Sequence, residues 1–314
     1  MDKLEQKVFA PMARLGAAYW ITLGLLAAVS LWGLYAYVHQ LRYGLSVTGM
    51  NRPVFWGVYM TNFVFFIGIS HAGTLISAIL RIVGAEWRRP FTRIAEALTV
   101  FSLPFGAASV LIDMGRPERI LNVFIYGRFQ SAILWDLTAI GTYLLSSVFF
   151  FYLAMIPDIA TARDRLDAER STPFRKRLYS ALALGWQGRP EQWRRLHVVM
   201  GGMAIFLTLL VVTVHTVVSW IFGMTVQPGW HTAIIGPYFL LGAIFSGVAA
   251  VAIVAALLRK VFHLEEYLTP KHFDYLGKFL VALTLAWFYF TFAEFLTEFY
   301  GFEPAQMSVF FAKF

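Results

Sequence analysis

His71, Glu96, Asp113, Arg116, Asp136, His215, Glu294 and Glu298 lie inside or at the ends of stretches that are otherwise apolar. Ionisable groups are costly at such positions, so each is a functional candidate. His71 stands in ISHAGTLISAI. At helical spacing Ser70, His71 and Thr74 share a face, beside the small residues Ala72 and Gly73. An imidazole takes up or gives up a proton near neutral pH. A carboxylate from another helix could orient it and carry the proton onward. Small neighbours let a flat ligand or a second helix approach the backbone. This is the chemistry that a quinol site needs: two hydroxyls, each losing a proton as an electron leaves. The same residues also suit a structural histidine bonded to a neighbouring carbonyl, the more natural reading for His215 and His231. Asp113, Gly115, Arg116 and Pro117 form a helix end followed by a turn. They suit a local ion pair or the rim of a site. Glu294 and Glu298 are one helical turn apart and can snorkel toward water.

These residues must be held by membrane helices. Of 314 residues, 59% are hydrophobic and 14% charged, with 30 Phe and a mean hydropathy of +0.64. Soluble domains carry roughly 25% charged residues. The fold class is therefore an all-α integral membrane bundle. Seven stretches reach the roughly 20 apolar residues that a span requires. They run over 17–40, 54–83, 90–112, 130–156, 196–224, 233–258 and 276–299. The first 16 residues lack a signal-peptide pattern, so the first span is expected to be retained. Around Phe174 to Leu184 the long polar loop has amphipathic spacing, which predicts an interfacial helix. Cys is absent, which excludes disulfides, thiolate-held iron–sulfur clusters and covalent haem attachment within this sequence. No metal site is expected.

With the N-terminus cytoplasmic, twenty of the 26 Lys and Arg residues fall inside and six outside. The positive-inside rule favours this orientation. The net charge of +8 follows from that asymmetry and does not point to nucleic acid. Trp20, Trp32, Trp56, Trp135 and Trp230 are expected in the interfacial belts. The final YGFEPAQMSVFFAKF resembles the approach to a further helix, which suggests a longer native product or a lost eighth span.

FFIGISHAG (65–73) resembles FLLGAIFSG (239–247), matching Gly68 with Gly242 and Gly73 with Gly247. Such a parallel repeat predicts two bundles. His71 then corresponds to Phe245. The expected organisation is 1–53 as N-terminal cytoplasmic segment and first helix, 54–224 as a first four-helix bundle with the polar site, and 225–314 as a partial second bundle.

The segments HAGTLISAILR, WRRPFTRIAEALTVF, IDMGRP, ILWDL, IPDIATARDR and PGWHTAIIGPYFLLGAIFSG resemble the NrfD / polysulfide-reductase membrane-subunit family. The nearest likeness within it is the large quinol-interacting membrane subunit of alternative complex III. The resemblance implies two four-helix bundles and a quinone-reactive anchor, with menaquinone or ubiquinone as substrate and no haem or iron–sulfur cluster of its own. It implies an extracytoplasmic iron–sulfur partner, further membrane subunits, a cytochrome c, and a place in a prokaryotic cytoplasmic membrane. By motif, His71 would be the quinol-site histidine, and Asp136 and the Asp113/Arg116 turn would lie near that site or its proton path; the expected catalytic set is His71 with Asp136 or Asp113 as its partner. Ser70, Thr74 and Arg116 would complete the binding site, and Glu96, His215 and Glu294 a proton path. Two positions depart from the pattern: Asp113 stands where relatives often have His, and Ile221 where alternative complex III has Asp. Proton translocation is left open. Two other classes remain: a b-type cytochrome ligated by His71 and His215, and a secondary transporter with a kink at Pro104.

Overall fold

The computed structural model describes residues 16–50, 56–165, 172–225 and 228–313. Expectations resting on 1–15, Arg52 and 166–171, including part of the charge asymmetry, lie outside them. The long helices are α1 (Ala17–Tyr43), α2 (Val58–Ile82), α3 (Arg89–Asp113), α4 (Ala132–Arg165), α5 (Pro173–Leu182), α6 (Pro190–Gly223), α7 (Ile235–Val261), α8 (Pro270–Gly301) and α9 (Pro304–Lys313). Among the described residues seven are long and apolar enough to cross a membrane: α1 to α4 and α6 to α8. The chain is an all-α, multi-pass integral membrane bundle. One end of the bundle carries Arg81, Arg88, Arg93, Arg259 and Lys271, and is called the basic face below.

The spans lie where the apolar runs predict, but several are longer. Apolar counting stops at charged residues, whereas a helix continues through the headgroup zone. Thus α6 begins at Pro190 rather than Leu196, with proline in its first turn and the Gln192 side chain accepting from the N–H groups of Gln187 (2.9 Å) and Arg189 (3.2 Å). The fourth apolar run was expected to end at Ile156, yet α4 continues through Pro157 to Arg165. Proline lacks the N–H that the preceding turn needs. The Leu153 carbonyl one turn back thus loses its helical donor, while Arg93 Nη2 bonds the next carbonyl, that of Ala154, at 2.5 Å. A helix also forms where the amphipathic spacing predicted one: α5 starts on Thr172, whose hydroxyl caps the N–H of Arg175 at 3.3 Å.

The helix α2 is the most enclosed span. It packs chiefly on α3 and then on α7, and its C-terminal third touches α6. With α3, α4 and α6 it closes a four-helix ring around Phe63, Ile67, Leu103, Tyr143, Leu207 and Val214. A second core, around Ile76, Phe91, Ala95, Val248 and Leu276, joins α2 and α3 to α7 and α8. In lipid, burial alone does not draw helices together, so close approach must supply the packing. Gly73 shows this. A Cβ there would collide with the Thr99 hydroxyl and the Ala95 carbonyl, so only glycine lets α3 lie against α2. Immediately after Thr74 the helix widens into a π turn over Leu75–Ile79. Such turns recur at functional sites.

The two segments of similar sequence meet in space. Gly68 of α2 faces Ala243 of α7, Trp56 lies 5.3 Å from Trp230, and Phe91 lies 5.8 Å from Phe273. The α2–α3 and α7–α8 hairpins therefore stand side by side and run in parallel. Two elements are loosely held. The apolar middle of α1 is exposed, and Gln40 ties its end to the bundle through the Ile112 carbonyl (2.8 Å) and the Tyr59 hydroxyl (2.6 Å). The segment expected to approach a further helix forms α9, folded back so that Phe310 lies 5.8 Å from Phe299.

Candidate functional site

Two histidines from different spans meet in the centre of the bundle. His71 of α2 and His215 of α6 are both almost fully buried, with ring centroids 4.0 Å apart. His71 Nδ1 lies 2.5 Å from the Ile67 carbonyl, and His71 Nε2 lies 2.9 Å from His215 Nδ1. A carbonyl can only accept, so a neutral His71 carries its proton on Nδ1. Its Nε2 then accepts from Nδ1–H of His215, with the Val211 carbonyl also near the ring. This network assigns the tautomers. It leaves Nε2 of His215 as an acceptor with no hydrogen-bond partner among the described residues. The two rings are level, because α2 and α6 meet there. Their direct hydrogen bond leaves no room for an iron between these two nitrogens.

His215 forms part of the wall of a cleft of about 530 Å³. Met60, Val64 and Gly68 supply the α2 side, Phe239, Gly242 and Ser246 the α7 side. The cleft thus lies between the four-helix ring and the α7–α8 pair. Trp56, Phe222 and Trp230 pack edge-on and tilted at one end, with centroids 5.3 to 5.5 Å apart. Trp56 and Trp230, expected as belt residues, also line the cleft. Trp287 of α8 closes the far side, where a Cβ on Gly242 would lie 3.4 Å from its indole nitrogen. Glycine at 242 lets the indole edge reach the α7 backbone. An apolar, aromatic cleft with few polar groups is what a flat, weakly polar ring requires.

On the other side of His71 runs a polar network. Ser70 donates to the Ile67 carbonyl at 2.6 Å and lies 3.3 Å from His71 Nδ1. The hydroxyls of Tyr143 and Thr99 both donate to the Ser70 carbonyl, at 3.0 and 2.5 Å, and Thr74 pairs with Tyr143 at 2.9 Å. A small cavity of about 10 Å³, near the size that one water occupies, touches Thr74, Thr99, Ser147 and Glu96. The Ser147 hydroxyl is buried there without a partner among the described residues. Glu96 is buried, accepts from Ser77, and pairs with Arg93 at 3.0 Å. Arg93 also bridges to Asp158 at 2.8 Å, on the basic face. Ser70, Thr74 and Ser77 form one stripe on α2, and Thr92, Glu96 and Thr99 a matching stripe on α3.

The structure separates the other predicted site residues from the cleft. Ser70, His71 and Thr74 face the polar network and do not line the cleft. Asp113 and Asp136 each bury one carboxylate oxygen without a partner among the described residues, and neither lines the cleft. No ion pair joins Asp113 to Arg116 among the described residues. Gly115 takes a left-handed φ of 67° against Leu45, turning the exposed Arg116 away. Glu294 accepts from Thr232 at 2.7 Å, and the buried Glu298 lies 3.9 Å from Lys313. Sequence reasoning missed Tyr143, Thr99, Ser77, Phe239 and Trp287. A census of charges overlooks hydroxyls and rings, although the stripe of Ser70, Thr74 and Ser77 at helical spacing was a usable signal.

The fold and site define a class: a polytopic helical bundle that sets a buried histidine pair against an aromatic cleft. Residues 46–308 match the family described as polysulphide reductase, NrfD, and the chain belongs to that family. It is 27% identical over 236 residues to a dimethyl sulfoxide reductase membrane subunit of Halobacterium salinarum, covering 75% of this chain and 51% of that one. It is 24% identical over 238 residues to a selenate reductase subunit of Mesobacillus selenatarsenatis, covering 74% and 54%. Likeness to the Hdr-like menaquinol oxidoreductase integral membrane subunit of Archaeoglobus fulgidus reaches 25% over 288 residues, covering 91% and 62%. The chain spans about half to three fifths of the length of these relatives.

Proposed function

We propose that this chain is the quinol-binding membrane subunit of an oxidoreductase complex, and that the quinol ring sits in the cleft between α2, α6 and α7. The observation that carries the proposal is His215. It is the one imidazole in the cleft wall as described, and its Nε2 is left as an acceptor by the bond to His71. The aromatic walls suit a quinol ring. The Trp287 indole N–H stands on the far side as a donor for a second ring oxygen.

In this reading a quinol hydroxyl donates to His215 Nε2. As the substrate loses two electrons and two protons, His215 takes the proton of one hydroxyl and passes its Nδ1 proton to His71 Nε2, while the other hydroxyl releases its proton to water at the open mouth of the cleft. This relay needs no movement of either ring, because the 2.9 Å hydrogen bond is already made. The hydroxyls around Ser70 and the Glu96–Arg93–Asp158 chain then give that proton a polar route toward the basic face. The same route run in reverse would deliver protons for quinone reduction. The electrons leave to a partner, since a chain without Cys has no thiolate-held cluster to store them. We place the basic face in the cytoplasm of a prokaryote, and hence the aromatic end of the cleft outside. The acceptor would then be an extracytoplasmic iron–sulfur protein, as the likeness to alternative complex III implies, held with other membrane subunits. The menaquinol oxidoreductase relative favours menaquinone as the substrate.

The test is a titration of the purified chain with a menaquinol analogue. Trp56, Trp230 and Trp287 report on the cleft by fluorescence. Saturable quenching that is weakened in His215→Ala supports the reading. Quenching that is non-saturable, or unchanged in that variant, contradicts it.

A further inference from the structure

At the opposite end of the bundle from the cleft's aromatic mouth, a second cavity of about 640 Å³ opens between the end of α2, the start of α3, α4 and α6. Four arginines line it: Arg81, Arg88, Arg89 and Arg93. Two of them are neutralised by the chain itself. Arg89 pairs with Glu86, and Arg93 pairs with Glu96 and Asp158. The other two are not. Arg81 and Arg88 have no carboxylate within ion-pair distance among the described residues. Arg88 Nη1 reaches only the Thr92 hydroxyl, at 3.2 Å, and its Nε is buried without an acceptor. The two guanidiniums lie close enough to repel each other, and Glu86 and Glu96 offset that only from beyond ion-pair distance.

Two half-buried, unneutralised guanidiniums are costly unless an anion joins them. Their planar forks match phosphate oxygens two at a time. The site stands where the spans end, with Trp193 and Tyr267 in its wall as membrane-boundary aromatics. Leu196 and Met200 continue the wall with apolar surface along α6. We propose that this cavity binds a phosphate anion, with Arg81 and Arg88 as its ligands. A phosphate of this kind comes either from the headgroup of an anionic phospholipid or from a soluble phosphate. The apolar wall beside the arginines favours the lipid, whose acyl chains would follow it.

The full chain, purified in detergent and stripped of lipid, is examined by native mass spectrometry and thermal unfolding. It is supplied with phosphatidylglycerol, with phosphatidylcholine or with inorganic phosphate. The proposal expects retained phosphatidylglycerol and a raised unfolding temperature. It expects at least about a tenfold loss of affinity in Arg81→Gln/Arg88→Gln, the scale of losing charge-assisted hydrogen bonds. Menaquinol-analogue quenching at the distant cleft serves as the fold control and stays unchanged. Stabilisation by inorganic phosphate alone identifies a soluble source and keeps the anion site. Equal retention of phosphatidylcholine, retention unaltered in the double variant, or no response to either phosphate source overturns it.

Discussion

Replacing each histidine of the central pair, singly and together, tests how the site is built. In His71→Ala the Nδ1–H of His215 loses its acceptor. In His215→Ala the Nε2 of His71 loses its donor. Both atoms lie in side chains that are 0% and 1% exposed, so water does not readily replace the lost partner. A buried group left unpaired costs about 1–3 kcal/mol. Each single variant also opens a cavity, and the double variant opens both. The cavity costs largely cancel in the cycle, and what remains is the hydrogen bond. The double variant is therefore expected to lose less stability than the two singles summed, by about 0.5–3 kcal/mol. Thermal unfolding of the four proteins in one detergent gives this coupling. The same four proteins separate the roles of the rings. His215→Ala removes the substrate acceptor and is expected to weaken a menaquinol analogue roughly fivefold, the worth of about 1 kcal/mol. His71→Ala leaves that acceptor in the cleft wall and costs less affinity. Strict additivity, or a greater loss of binding in His71→Ala, would refute the pairing and the order of the two rings.

Three further outcomes follow from named contacts. Gly73→Val is expected to destabilise the bundle by about 1–3 kcal/mol in a thermal melt, because its side chain must push α3 off α2. Thr61 lines the cleft yet is exposed, so Thr61→Trp is expected to abolish analogue quenching while leaving the melting temperature near that of the parent. Glu96→Gln is expected to retain analogue binding and lose proton transfer in a reconstituted complex, since it keeps the shape of the route and removes its one buried carboxylate. Unchanged proton transfer in that variant would remove Glu96 from the route.

Much of the fold was legible because its signals are long-range averages along the chain. Twenty apolar residues must span a bilayer wherever they occur, and the seven spans were visible for that reason. Their ends were less so. Beside Pro157 the Ala154 carbonyl accepts from Arg93, more than sixty positions away in sequence, a contact that no local pattern shows. The repeat of FFIGISHAG and FLLGAIFSG was visible as a pattern, but its meaning was spatial: Gly68 and Ala243 are where the two hairpins touch. The site was half legible. His71 stood out as a buried ionisable residue among small ones. What hid the rest is that facing pairs belong to different helices. Nothing in TVHTVVSW says that His215 meets His71, or that His215 rather than His71 forms the cleft wall. The asymmetry of the two hairpins now has a physical form. Phe245 occupies the place that matches His71, and it stacks on Trp287 with centroids 6.4 Å apart. One hairpin carries an imidazole at this position, and the other an aromatic ring.

The location of the quinol is the central claim, and photolabelling tests it most directly. A photoreactive azido-menaquinone analogue is bound to the purified chain, irradiated, and its attachment sites are mapped by peptide mass spectrometry. The account predicts labels in Met60–Gly68 and in Trp230–Ser246, with protection by unlabelled analogue. Protected labels confined to the turns around Asp113 and Asp136 would contradict it.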